Sequence, residues 1–392
     1  MRKTFLMSVF ALLCALLAAG TAGADVFYTT ESGTLGTIVI KSAESIDPPA
    51  PVVSSLGTNT SLDVSSFGVD GGTRVMVTKR STGGDDTAVI YTPGTWTDSN
   101  NYTLTGTRNI HGTANARNGK SLYTASWGTA SIVEYDNTSN YKATGRQYTY
   151  KPAGTAHAED VLVGSSAIYG LFSVQSADTE GKEKYLSSRL VWMDGQLSDT
   201  VQGFGGINAG PNASEMAFLS DGRIAIAYRG NSKKGGIDLL SGGTISTLIS
   251  GDVSGDKYGE IPTLCSDGDK GLYFVGQKLS DDISVDTLYR WKSDGTFSTL
   301  ESSDHSAFVK VAWDDSNKLL VLARANKIEI FKDDKRVQKF ESTQLDGTVS
   351  SMALTASAGS TDSGSSSNCD LLAPGSLALF LLPLTLIRRR KR

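Results

Sequence analysis

Residues 212–251 read NASEMAFLSDGRIAIAYRGNSKKGGIDLLSGGTISTLISG. Four apolar runs, MAFL, RIAIAY, GIDLL and TISTLI, are separated by the polar turns SDG, RGNSKKGG and SGG. Runs of strand length bounded by Gly, Asp, Ser and Asn read as a four-stranded antiparallel meander. Residues 260–302 repeat the pattern as IPTLC, GLYFVG, DTLYRWK and TFSTLE, and TISTLIS aligns with TFSTLES. A repeat of roughly 45 residues with four strands is the period of a propeller blade. One such sheet buries little by itself, so the units must pack against one another.

Five further units fit the same scheme. The first after the N-terminal leader is incomplete, with DVFYTT (25–30), TIVIKS (37–42) and PVVSSL (51–56), and lacks an initial strand. The second and third begin at LDVSSFGV (62–69) and RNIHGTAN (108–115). The fourth runs EDVLVG, AIYGLF, SRLVWMD and QLSDTVQ (196–202), and the seventh begins at AFVKVAW (307–313). One strand is left over, TVSSMALT (348–355). It supplies what the first unit lacks. Pairing Val349–Leu354 into the N-terminal blade would close the ring and leave no free inner edge. The expected fold is all-β, a propeller of seven four-stranded blades over 25–356. No window outside the two chain ends carries helical apolar spacing.

Both ends read as targeting elements. Residues 1–24 have a basic start (Arg2, Lys3), an apolar stretch from Phe5 to Ala19, and a small-residue site, Ala22-Gly23-Ala24, as a secretory signal does. After a Ser/Gly-rich linker with Cys369 (357–369), residues 370–392 hold an apolar segment, Leu371–Ile387, closed by Arg388, Arg389, Arg390, Lys391 and Arg392. As a helix it is roughly 25 Å long, enough to span a bilayer with the basic end inside. Of 37 basic and 41 acidic residues, 30 and 40 remain between the two ends, a net charge of −10. An exported acidic domain argues against nucleic acid as a partner. Cys14 leaves with the signal, and Cys265 and Cys369 are not expected to pair, so the core stands without disulfides.

The tail carries the one specific motif. Ser-Ser-Ser-Asn-Cys369-Asp, an apolar stretch interrupted by Pro374 and Pro383, and RRRKR resemble the bacterial C-terminal sorting signals of the Synerg-CTERM type. The resemblance covers residues 363–392, with Asn368 departing from the usual Gly/Ser before the Cys. It implies a bacterial surface protein, here with a YVTN/WD40-like propeller as the exported domain. It also implies a membrane-held precursor and an intramembrane sorting protease that acts near Cys369.

No nucleophile elbow, P-loop, HExxH or paired CxxC is present. His111, His157 and His305 fall in or just before first strands, which line a propeller's channel. Glu159, Asp160, Glu215 and Glu260 fall there too. Their strand ends meet at one rim, so His111, His157, Glu159, Glu215 and Glu260 are a candidate ligand site for a metal, an anion or a sugar. Asp252, Ser254, Asp256 and Glu260 alternate oxygen-bearing side chains and form a weaker candidate for Ca²⁺, although Lys257 stands where an EF-hand loop has Gly. The five Trp residues read mainly as packing between blades. Two functional expectations follow. One is a cell-surface propeller that binds an extracellular protein or a small ligand. The other is a propeller enzyme, lactonase-, lyase- or quinone-type, with a metal or polar cluster at the channel mouth. A convergent polar cluster in the channel separates the two.

Overall fold

A computed structural model describes residues 24–355, except 58–61, 70–71, 82, 117–118, 153, 178–182, 195–196, 198–203, 231–234, 251–259, 281–282 and 304–307. The expected signal sequence and sorting tail lie outside these residues. Among the described residues no helix is long and apolar enough to cross a membrane, and the one helical element is a single 3-10 turn, Trp127–Thr129.

The strands form seven antiparallel sheets arranged as the repeat predicts. Blade 1 begins with the C-terminal strand Val349–Leu354, followed by Ala24–Thr30 and Leu35–Ser42, with Ser45–Ile46 and Ala50–Val53 sharing the outer position. Blades 2 to 7 take their four strands in chain order, with innermost strands Leu62–Val69, Ile110–Asn115, Thr155–Val163, Ala213–Phe218, Glu260–Ser266 and Phe308–Asp314. The closing strand pairs Val26 with Leu354, Tyr28 with Met352 and Thr29 with Ser351. Val349, Met352 and Ala353 are buried.

Burial explains the sequence pattern. Second strands pack both faces against neighbouring blades, so Ile224–Tyr228 and Leu319–Arg324 are buried at every residue and, up to Arg324, read as apolar runs. Outer strands such as Thr244–Ile249 mix polar and apolar residues, with Thr244, Ser246 and Thr247 exposed and only Ile249 buried. The core is therefore a ring of inter-blade clusters. One joins Leu319, Val321 and Ile328 of blade 7 to Val26, Ile38 and Met352 of blade 1. A buried charge cluster adds to blade 7: Glu329 faces Arg336 at 2.7 Å, Lys327 at 3.1 Å and Arg324 at 3.4 Å.

One strand differs from expectation. The outer strand of blade 4 is Phe204–Ala209, not QLSDTVQ (196–202). The sequence FGGINA has weak strand propensity, but Gly206 has a local reason: a Cβ there would sit 2.9 Å from Arg189 Nη2. The Arg189 guanidinium lies over this glycine and Nη1 donates to Asn208 Oδ1 at 3.1 Å.

Candidate functional site

The innermost strands share a local irregularity. In six of the seven blades the pairing with the second strand shifts by a β-bulge near the strand's start. The extra residue is Ser350 in blade 1, His111 in blade 3, Glu159 in blade 4, Ser214 in blade 5 and Val309 in blade 7, with Pro262 within the irregular stretch of blade 6. Bulges re-aim side chains, and here each lines one central cavity of about 420 Å³. The next residue of each strand lines it too: Ser351, Gly112, Asp160, Glu215, Thr263 and Lys310, with Asp63 the counterpart in blade 2, which has no bulge. Arg80, Trp127 and Arg229, each just after a second strand, complete the wall.

The ring positions also tie the blades together. Each acceptor reaches a backbone N–H on the next blade's innermost strand. Asp160 Oδ2 accepts from Met216 at 2.8 Å, Glu215 Oε2 from Leu264 at 2.9 Å, Thr263 Oγ1 from Val311 at 3.3 Å, and Ser351 Oγ from Val64 at 3.1 Å. Gly112 has no side chain to offer, and Asp160 Oδ1 itself accepts from Val161 N–H at 2.8 Å. A Cβ on Gly112 would lie 2.5 Å from that oxygen, so the glycine is what gives Asp160 its place.

His111 and Glu159 meet in this cavity. Nδ1–H of His111 donates to Glu159 Oε2 at 3.1 Å, and the hydroxyl of buried Ser173 bonds the other Glu159 oxygen. The neutral His111 ring therefore keeps Nε2 as its acceptor. Trp127 stacks between two histidines. Its ring lies 3.6 Å from that of His157 at an interplanar angle of 7°, and 5.8 Å from that of His111. His157 Nδ1–H donates to the Trp127 carbonyl at 3.0 Å.

Three of the mouth's four carboxylates are engaged by protein donors at both oxygens, and the fourth, Asp63, accepts from the Ser351 hydroxyl at Oδ1. Glu159 holds Ser173 and His111, Asp160 holds two backbone N–H groups, and Glu215 holds Leu264 N–H and Lys310 Nζ at 3.2 Å. Burial first, and then the Glu215 carboxylate, push Asp160 up to about 7, against the pull of its two N–H bonds. The cations are less engaged. Arg80 Nε has no hydrogen-bond partner, and the nearest carboxylate oxygen to its guanidinium is Asp63 Oδ2 at 3.9 Å. Arg229 is exposed, and its guanidinium has no partner among the described residues.

The sequence-predicted rim thus divides. His111, Glu159 and Glu215, with Asp160, converge on the cavity. His157 does not line it but supports Trp127 from behind, and Glu260 is outside its lining. His305 and the Asp252, Ser254 and Asp256 part of the candidate Ca²⁺ loop lie outside the described residues. Among the described residues no cluster of three or more His, Cys, Asp or Glu side chains is placed to hold a metal ion. Of the tryptophans, Trp291 is buried, Trp96 packs edge-on against Phe27 and Trp313 stacks on Tyr273, as expected for packing; Trp127 is the exception. Arg80, Trp127, Arg229 and Lys310 were not picked out by sequence reasoning. For the first three the signal is positional, since the residue after a second strand shares the face at which the first strand starts, whereas Lys310 lies on a first strand next to the bulge residue Val309.

The sequence matches no protein-family model and no curated protein. Solved structures do match its fold. A candidate 6-phosphogluconolactonase from Bacteroides fragilis is 15% identical, with 85% of this chain and 98% of that one covered and a TM-score of 0.57. The periplasmic gluconolactonase of Pseudomonas aeruginosa is 13% identical, with 86% and 99% covered and a TM-score of 0.57. A protein of unknown function from Desulfotomaculum acetoxidans is 13% identical, with 83% and 98% covered and a TM-score of 0.52. The chain is a seven-bladed β-propeller. At such identities the likeness carries the fold and not a reaction.

Proposed function

We propose that the channel mouth binds a small, oxygen-rich anion, of the size and chemistry of a sugar acid. The observation that supports this reading is the imbalance between donors and acceptors. Glu159, Asp160 and Glu215 have protein partners at both oxygens and Asp63 at one, whereas among the described residues Arg229 and Arg80 Nε retain unused donors and Lys310 has one ion pair for three N–H groups. A ligand that completes this site brings acceptors. A metal ion would have to displace the N–H groups already held by the carboxylates. The cavity, about 420 Å³, suits a monosaccharide-sized molecule. A thermal-shift series tests it: gluconate should raise the melting temperature, and glucose and Ca²⁺ at equal concentration should not. Stabilisation by Ca²⁺ alone would reverse the reading.

A second reading is favoured by the His111–Glu159 pair. A histidine oriented by a carboxylate is the arrangement of a general base, and with water it can open a cyclic ester. His111 would take a proton from the attacking water as its oxygen bonds to the ester carbonyl, the acyl C–O bond of the ring would break, and the imidazolium would give its proton to the leaving alkoxide oxygen; the carboxylate product would sit among Lys310, Arg80 and Arg229. The names of the Bacteroides and Pseudomonas neighbours agree with that chemistry. Proton release from δ-gluconolactone measured in a pH-stat decides it: His111→Ala should return the rate to background, and an unchanged rate would reject the role of His111.

The ends of the chain support placing this activity outside the cytoplasm, on a surface protein freed from its membrane segment near Cys369. Intact-mass measurement on protein from the native envelope tests this part. A mass that includes residues up to Arg392 would reject processing.

A further inference from the structure

One wall of the cavity is aromatic. Arg80, Trp127 and Arg229 hold the same position, just after a second strand, in blades 2, 3 and 5, and all three line the cavity. Of these only Trp127 offers an apolar surface. Trp96, Trp192, Trp291 and Trp313 each belong to one of the core clusters between blades, and Trp127 belongs to none of them. The blades thus gain little from burying this ring, yet its turn is tightly held. Trp127 N–H donates to Asn109 O at 3.1 Å and Gly128 N–H to Arg108 O at 2.9 Å. The Ser126 hydroxyl donates to Arg108 O at 3.1 Å and accepts from Arg108 N–H at 2.8 Å. Asn109 and Ala130 take left-handed φ values of 53° and 52°, which residues with a Cβ keep only where their surroundings fix them. His157 fixes the ring as these bonds fix the turn. It is buried, lies parallel to the indole at 3.6 Å, and donates Nδ1–H to the Trp127 carbonyl. An aromatic braced in this way loses little freedom when a ligand arrives.

The other walls say what the ligand must carry. In a ring of seven blades, blade 3 stands across from blades 6 and 7. The aromatic wall therefore faces Lys310 of blade 7, with Arg80 of blade 2 on one side and Arg229 of blade 5 on the other. A ligand that meets both walls has an apolar face and, beyond it, an anionic group. His111 adds a further demand. Its ring lies 5.8 Å from that of Trp127, and with Nδ1–H given to Glu159 its Nε2 accepts a hydrogen bond. The ligand should thus bring an O–H to the edge of its apolar face. An aryl carboxylate has the face and the charge but no such hydroxyl. An open-chain polyol acid has the hydroxyls and the charge but no face. A sugar acid closed into a pyranose ring has all of them, because its axial C–H groups form a face, its hydroxyls form the edge, and its carboxylate projects from a ring carbon.

We infer that Trp127 is the platform for the ring of the ligand, and that the ligand is a hexuronate in its pyranose form, stacked on the indole with its carboxylate toward the cations. This rests on the anion reading of the cavity and adds the ring. Calorimetric titration of the intact protein tests it with methyl β-glucuronide, whose ring cannot open, and with gluconate, methyl β-glucoside and benzoate. The glucuronide should bind roughly fivefold to tenfold tighter than gluconate, the worth of one aromatic stack. The uncharged glucoside and the hydroxyl-free benzoate should both bind more weakly than the glucuronide. Trp127→Leu should abolish the preference for glucuronide over gluconate, and Trp127→Phe should retain part of it; a general loss of fold would lower both affinities without changing their ratio. Tryptophan emission should change on addition of the glucuronide in the parent and not in Trp127→Phe. Equal affinity for glucuronide and gluconate in the parent, or a preference that survives in Trp127→Leu, overturns the platform and spares the anion reading. Binding of neither acid overturns both. Benzoate binding as tightly as the glucuronide rejects a sugar ring in favour of an aromatic acid.

Discussion

Ending the chain at Gly347 should unfold the whole propeller, not fray one edge. The deleted strand contributes Val349 and Met352, each worth about 1.5–3 kcal/mol when fully buried. It is hydrogen-bonded to Ala24–Thr30 through five residue pairs, and each ladder bond adds on the order of 1 kcal/mol. Ser351 also accepts from Val64 N–H, so the contact from blade 1 to blade 2 goes with it. The sum, roughly 8–11 kcal/mol, is comparable to the whole stability of a typical domain, about 5–15 kcal/mol. Loss of this strand also uncovers Val26, Tyr28 and Leu319, which share its cluster. Far-UV circular dichroism during urea unfolding is the assay, with Met352→Ala as a graded control expected to cost about 2–5 kcal/mol. A truncated protein that unfolds at the same urea concentration as the full chain would refute closure by this strand.

Three further substitutions probe the site and core. Asp160 has a folded-state pKa raised to about 7 from 3.8, so folding favours its protonated form, and its contribution to stability grows as pH falls from about 7 toward 4. Asp160→Asn lowers stability at all pH by leaving one N–H unmatched, and the gap to the parent in melting temperature should widen from pH 8 to pH 5; a constant gap would show that Asp160 does not titrate there. Gly112→Ala puts a methyl group 2.5 Å from Asp160 Oδ1 and 3.0 Å from its Cα, and chemical denaturation should register a loss of about 1–3 kcal/mol. Glu329→Gln removes the charge shared by Arg324, Lys327 and Arg336 and should cost roughly 3–5 kcal/mol in urea unfolding, with a cost near zero contradicting the buried cluster.

The architecture was legible because its signals are periodic. Apolar runs such as RIAIAY and KLLVLA mark strands buried on both faces, and an orphan strand at one end matched a missing strand at the other. The outer strand of blade 4 was not legible. FGGINA lacks β-branched weight beyond one Ile, and its second glycine answers to the Arg189 side chain, a tertiary demand invisible in local pattern. Strand position alone put His111, Glu159 and Glu215 at one rim, and all three line the cavity. The bulges were not readable, because an extra residue in a short strand leaves no compositional trace, and they decide that Glu159 faces the cavity while His157 backs Trp127. The cations were missed because Arg80 and Arg229 look like ordinary residues of polar turns until the two loop levels are seen to share one face.

The claim that the mouth is built for an anion turns on whether its free donors bind. Calorimetric titration of gluconate into the protein and into a Lys310→Ala, Arg229→Ala double variant measures this directly. The account predicts saturable binding to the parent, loss of at least roughly tenfold in affinity in the double variant, corresponding to about 1.4 kcal/mol or more, and weakening of both with added salt. Gluconate binding that is unchanged by the two substitutions, or a cavity that binds Ca²⁺ and no anion, would contradict it.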